Sequence, residues 1–127
     1  VALDEDPTAA RAAVKPMIAG MIKASYPNAD FIEQAGLELE PEVHEKLAQC
    51  SFDEMERAAA YLPEDFVDAF AWAGTPAQVA EKVAAVVDMG IDRITFLPHA
   101  TPGCPTEAIV ARFAADVMPR VAALMNG

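Results

Sequence analysis

The sequence predicts an α/β fold, mostly helical, with one clear strand at about residues 91–97. The first observation behind this is a sharply bounded helix, fed by a turn at Ala73-Gly74-Thr75-Pro76. Thr75 stands as its N-cap, Pro76 as its first residue and Gln78 at capping-box spacing. Val79, Val83, Val86 and Val87 recur on one face, and Gly90 supplies the left-handed stop. The second observation is the run Ile91 to Leu97. It is short, apolar, rich in β-branched residues and bounded by Gly90 and Pro98, the pattern of a buried parallel strand. The third is the segment beyond that run: a loop, Pro98 to Pro105, and a last helix. That helix carries the apolar stripe Ile109, Phe113, Val117, Val121 and Leu124, with Pro119 as an interior irregularity. Helix, strand, loop, helix is a piece of an α/β architecture.

The first half is read element by element. Val1 to Leu3 is a short apolar stub and a possible second strand. Asp6 can cap a helix whose first turn begins with Pro7. Val14, Met17, Ile18, Met21 and Ile22 continue it at helical spacing, and Pro16 predicts a kink or restart. Tyr26-Pro27-Asn28 ends it. Phe31 to Gly36 is one or two helical turns stopped by Gly36. Pro41 opens a short helix that buries Val43 and Leu47. Ser51 and Glu54 have capping-box spacing and start another helix, which runs to about Tyr61. Leu62-Pro63 breaks it, and Phe66, Val67 and Phe70 form the apolar face of the next. Residues 28–72 thus read as a run of short helices without a convincing strand. A lone parallel strand cannot satisfy its own backbone, so the remaining strands must come from residues outside this sequence or from another chain.

Composition narrows the function classes. The 127 residues are 54% hydrophobic and 23% charged, a globular balance. The net charge of −11 gives no electrostatic footprint for nucleic acid and disfavours anionic membrane surfaces. It reads as a solvated surface. No apolar run is long enough to span a bilayer, and no signal peptide is visible. Cys50 and Cys104 form no CxxC pair and no metal spacing. They read as free thiols in a reducing, cytoplasmic compartment.

Residues Leu62 to Pro76, LPEDFVDAFAWAGTP, continuing through Gln78-Val79-Ala80-Glu81-Lys82-Val83 to Gly90-Ile91-Asp92-Arg93-Ile94, are similar to the closing part of the luciferase-like monooxygenase superfamily. The opening Val1 to Asp6, with Ala9, Ala10 and Arg11, resembles the end of that family's seventh strand and the start of its helix. Arg112 to Val121 resembles its last helix. The wording of Ala71 to Val83 looks most like the coenzyme F420-dependent branch that includes methylenetetrahydromethanopterin reductases. The resemblance implies that residues 1–127 form one partial domain, the C-terminal segment of a (β/α)8 TIM barrel. Within it, 28–72 would be a helical insertion and 73–127 the last β/α units. A whole barrel runs to about 250 residues. The implied activity is hydride transfer between F420 and a small organic substrate. The alternatives are an FMN-dependent monooxygenase of the same fold and a non-catalytic helical interaction module. The implied partners are the substrate and either a second copy or the remaining barrel segment.

In such a barrel the active-site groups stand at the C-terminal ends of the strands. Beyond Leu97 these are His99 and Thr101 as catalytic candidates, and Pro98 and Gly103 as cofactor-binding candidates. His99 can act as an acid or as a hydrogen-bond donor, or stand exposed without a role. Gly103 and the prolines can equally just shape the loop. Cys104 lies near both His99 and a helix start, where a thiol can be activated, yet an incidental thiol is the simpler reading. His44, among Glu42, Glu45 and Lys46, lacks the spacing to share a helical face with them and reads as part of a solvated helix, so no metal site is expected. Glu64, Asp65 and Asp68 read as acids at a helix start, and Phe70 and Trp72 as core.

Overall fold

Asp6 and Pro7 begin the first helix as their chemistry requires. In the computed structural model, which describes residues 1–127, the Asp6 carboxylate accepts the Thr8 amide at 3.0 Å and α1 runs over Pro7–Ser25. Pro16 lies inside α1 without ending it. The kink or restart expected there is therefore not a break; neighbouring turns carry the helix across the one missing donor. Tyr26 and Pro27 lie just beyond its end, as expected. No helix is long and apolar enough to cross a membrane.

The chain divides into two compact units, Lys15–Ala71 and Val1–Val14 with Trp72–Gly127. The first is all helical: the second part of α1, α2 (Asp30–Gln34), α3 (Pro41–Gln49), α4 (Met55–Ala58) and α5 (Asp65–Phe70). Gly36 takes the expected positive φ of 74° after α2. Ile18, Ile22, Ile32, Leu47, Phe66 and Val67 are essentially without exposed surface. Phe70 stacks obliquely on Phe31 and Phe66 at 5.7 and 6.1 Å.

Two expectations are corrected in this unit. Ser51 and Glu54 make no capping box. Phe52–Glu54 is a single 3₁₀ turn with no side-chain cap, and a second, Ala59–Tyr61, follows α4. A short helix flanked by tighter turns replaces the continuous one. His44 is not on a solvated face. It is 6% exposed, its Nε2 lies 3.3 Å from the Ile22 carbonyl, and Tyr26 meets its ring edge-on at 4.9 Å. The carbonyl partners one of the two ring nitrogens, and the apolar body of the imidazole is covered by packing.

The other unit holds the sheet. β1 (Ala2–Leu3) pairs in parallel with β2 (Ala73–Gly74), Ala2 opposite Ala73 and Leu3 opposite Gly74. The apolar stub is thus a strand. Residues 73–74, expected as a turn, are a strand as well. α6 (Pro76–Asp88) follows with the full capping box, Gln78 amide to Thr75 Oγ1 at 3.3 Å and Thr75 amide to Gln78 Oε1 at 3.0 Å. Gly90 ends it at φ 89°.

The clear strand expected over 91–97 is not formed. Residues 91–100 carry no regular secondary structure. Ile91 and Leu97 are 44% and 70% exposed, whereas Ile94 and Phe96 pack on the core. Strand character needs a ladder on at least one edge. Here the only ladder bonds come at the far end, where Val1 donates to the Leu97 carbonyl at 2.6 Å and His99 donates to the Val1 carbonyl at 2.8 Å. Those two bonds bracket Pro98 opposite Val1 in the pattern of one parallel step.

The last helix is interrupted. α7 (Thr106–Arg112) passes through a π turn, Phe113–Val117, into α8 (Met118–Asn126). Pro119 removes an amide just after that turn, which places the irregularity where the proline predicts it. Ile109, Phe113, Val117 and Val121 are buried as expected. A strict four-residue spacing drifts by about 40° per step on an α-helix of about 100° per residue, and the wider π turn takes part of that drift back. Leu124, expected on the same stripe, is 50% exposed.

Candidate functional site

The two parallel strands and the Val1–Pro98 step share one direction, so their C-terminal ends deliver three stretches to one edge: Asp4 after β1, Thr75 after β2, and His99 to Cys104 after Pro98. The 99–104 loop closes on itself through Thr101 and Cys104, whose amides and carbonyls pair at 2.9 and 3.2 Å. It is then fastened to the end of β1. The Thr101 hydroxyl donates to the Leu3 carbonyl at 2.8 Å, and the Gly103 amide donates to the Asp4 carboxylate at 2.8 Å. Asp4 also accepts the Asp6 amide at 2.9 Å.

Asp4 is the residue that sequence reasoning missed. It is 7% exposed and one of three buried polar residues. Its carboxyl lies below the usual carboxylate range, because the Asp6 amide and then the Gly103 amide donate to its charged form. Beyond them the Arg112 guanidinium adds to the effect, while burial opposes it. The available signal was an aspartate directly after a three-residue apolar stretch, the place of a strand's C-terminal end.

The candidates named from sequence fall into two groups. Thr101 and Gly103 have their polar groups engaged internally, and Pro98 sits in the ladder step with Val1. They shape the edge. His99 is half-buried, and no intramolecular hydrogen bond holds its ring. Burial lowers its pKa from the ordinary imidazole value. It is the side chain of this loop left with hydrogen-bonding capacity to spend.

Cys104 does not join His99. It is 1% exposed, its Sγ lies 3.9 Å from the Pro105 carbonyl, and the Arg112 guanidinium lies against it. Arg112 in turn bonds Glu5 at 2.5 Å and Asp116 at 3.2 Å. A cavity of about 440 Å³ opens elsewhere in this unit, walled by Val83, Val87, Ile94, Phe96, Phe113 and Met118. Asp92 is its one charged lining residue. A ligand site needs several convergent polar groups to orient what it holds, so the strand-end edge is the better candidate. No group of three His, Cys, Asp or Glu side chains stands close enough to hold a metal ion.

The model of one protein family, the luciferase-like monooxygenases, matches residues 1–93. This chain belongs to the luciferase-like monooxygenase family. The match takes in β1, Asp4, both sheet strands and α6, and ends before the His99 loop. Members of the family are oxidoreductases. Neither the curated proteins nor the solved structures include a match to this chain.

Proposed function

We propose that this chain supplies one wall of the pocket of an F420-dependent oxidoreductase, as the C-terminal segment of a (β/α)8 barrel. The reaction is hydride transfer between the deazaflavin and a small organic substrate. The observation that carries the reading is the common edge where β1, β2 and the Pro98 step end, since barrels of this kind place their chemistry at the C-terminal ends of parallel strands. His99 is the catalytic candidate on that edge. Thr101, Pro98 and Gly103 hold it in place.

The groups present fit the neutral ring of such a cofactor better than its phosphate. The half-buried His99 imidazole offers one donor or acceptor to a ring edge or substrate. Asp4 and Glu5 put two acids near the edge, and Arg112, the nearby cation, is spent on Glu5 and Asp116. Phosphate-binding groups then belong to the remaining barrel segment or a second copy of the chain. When bound, F420 supplies the hydride chemistry, and this chain's part is to orient the ring and exclude water. The two free thiols, half-buried Cys50 and buried Cys104, suit a reducing cytoplasmic setting.

The test is a pair of titrations of this chain together with the remaining barrel segment, followed by fluorescence, one with F420 and one with FMN. Saturable F420 binding at least tenfold tighter than FMN binding supports the reading. The reverse preference assigns the chain to the FMN-dependent branch. Binding of neither sinks both and favours the non-catalytic helical module.

A further inference from the structure

We propose that Asp4 is the positioning residue for the 99–104 loop, fastening it to the end of β1 and thereby fixing where the His99 imidazole stands. The inference depends on the oxidoreductase reading only for what that ring would face.

The loop is pinned at every second residue. The His99 amide bonds the Val1 carbonyl, the Thr101 hydroxyl bonds the Leu3 carbonyl, and the Gly103 amide bonds the Asp4 carboxylate. Two pins use main-chain carbonyls, which many sequences would offer. The third needs the Asp4 side chain. Its fit is close: a Cβ built on Gly103 would stand 2.9 Å from Asp4 Oδ2 and 3.2 Å from its Cγ. Only a glycine there lets the carboxylate approach, so Asp4 and Gly103 form a matched pair across nearly the whole length of the chain. The carboxylate accepts the Asp6 amide as well, which ties the same group to the entry of α1. From α7, Arg112 faces it, already bonded to Glu5 and Asp116. The charged form is therefore supported from the start of α1, from the loop and from α7. A break in the third pin leaves the end of the loop held by the Thr101–Cys104 pairing and the burial of Cys104, and the ring at His99 loses part of the fixed backbone behind it.

The experiment is NMR on the 127-residue chain and four variants: Asp4→Ala, Asp4→Asn, Gly103→Ala and the double variant Asp4→Ala with Gly103→Ala. The readouts are exchange of the Gly103 and Thr101 amides and the titration of the His99 ring. Exchange of the α6 amides reports whether each variant remains folded. In Asp4→Ala, loop exchange is expected to rise about tenfold or more while α6 is unchanged, and the His99 midpoint to move up toward the ordinary imidazole value. Asp4→Asn keeps one acceptor and is expected to fall between. Gly103→Ala is expected to match Asp4→Ala, and the double variant to be no worse than either, because the clash and the bond vanish together. Unchanged Gly103 exchange in both Asp4 variants overturns the proposal. So does a loop released with the His99 titration unmoved. Should Asp4→Ala not fold, Asp4→Asn decides by the same two readouts. A fastened loop in a protein that binds neither cofactor leaves this inference standing and removes the functional reading instead.

Discussion

The two compact units are held together in different ways. In Lys15–Ala71 the contacts are between side chains of short helices: the Phe31, Phe66 and Phe70 rings, His44 against Tyr26, and Lys23 and Lys46 over the rings of Phe52 and Tyr61. The other unit has a buried apolar core of its own, from Leu3 through Val79 and Val83 to Ile109 and Val117, and adds hydrogen bonds between distant parts of the chain. Val1 to Leu97, Thr101 to Leu3 and Gly103 to Asp4 each span more than ninety residues. Both units gain stability from buried area, and the helical one tolerates shifts of helix ends. The second depends in addition on a few groups standing in register, which is also what a functional edge requires.

The strongest way to break this comparison is to remove a ring from the helical unit. Phe66→Ala deletes a fully buried side chain and should cost about 3–5 kcal/mol, read from urea unfolding. Amide exchange should rise throughout residues 15–71 and leave Gly103 protected. Equal loss of protection in both units would mean that they unfold as one, and the distinction would be one of bonding alone. Thr75→Ala tests the other unit through its helix cap. Loss of the capping box should cost about 1 kcal/mol in the same measurement, with exchange rising first at the start of α6.

A narrower probe is acidity. The folded pKa of Asp4 lies below its unfolded value, so the stability it contributes is fully present above the unfolded value of 3.8 and lost as pH falls through the folded one. The difference in urea midpoint between the wild type and Asp4→Asn should be constant near neutral pH and shrink as pH falls below about 4. A difference that persists unchanged at lower pH would place the effect outside the carboxylate. The smallest effect belongs to Arg57→Ala. Its pair with Glu54, three residues away at 2.9 Å, is exposed on both sides and should be worth no more than about 0.5 kcal/mol, less in high salt.

The same contrast governs what could be read in advance. Signals complete within a few residues were legible: Asp6 and Thr75 cap as expected, Gly36 and Gly90 stop their helices, and residues 28–72 are short helices. Signals that depend on distant partners were not. Ile91 to Leu97 has strand composition, but strand formation waits on a neighbour that only Val1 provides. Ala73 and Gly74 look like a turn until β1 pairs with them. His44 looks solvated among its charged neighbours because the Ile22 carbonyl that receives it lies on another helix. Of the candidate edge, the loop residues could be named from sequence but not ranked. Sorting His99 from Thr101 and Gly103 required seeing which polar groups are already spent, and Asp4 becomes visible only once Gly103 is beside it.

The π turn at Phe113–Val117 has a consequence for length variation in the last helix. A π turn is one residue more than an α turn would use, so deleting a single residue there would restore regular α geometry and rotate everything beyond by about 100°. Val121, 4% exposed, would swing off the core, and more exposed neighbours such as Leu124 would swing toward it. Sequences that keep this packing therefore tolerate substitutions along the helix more readily than a one-residue gap within it.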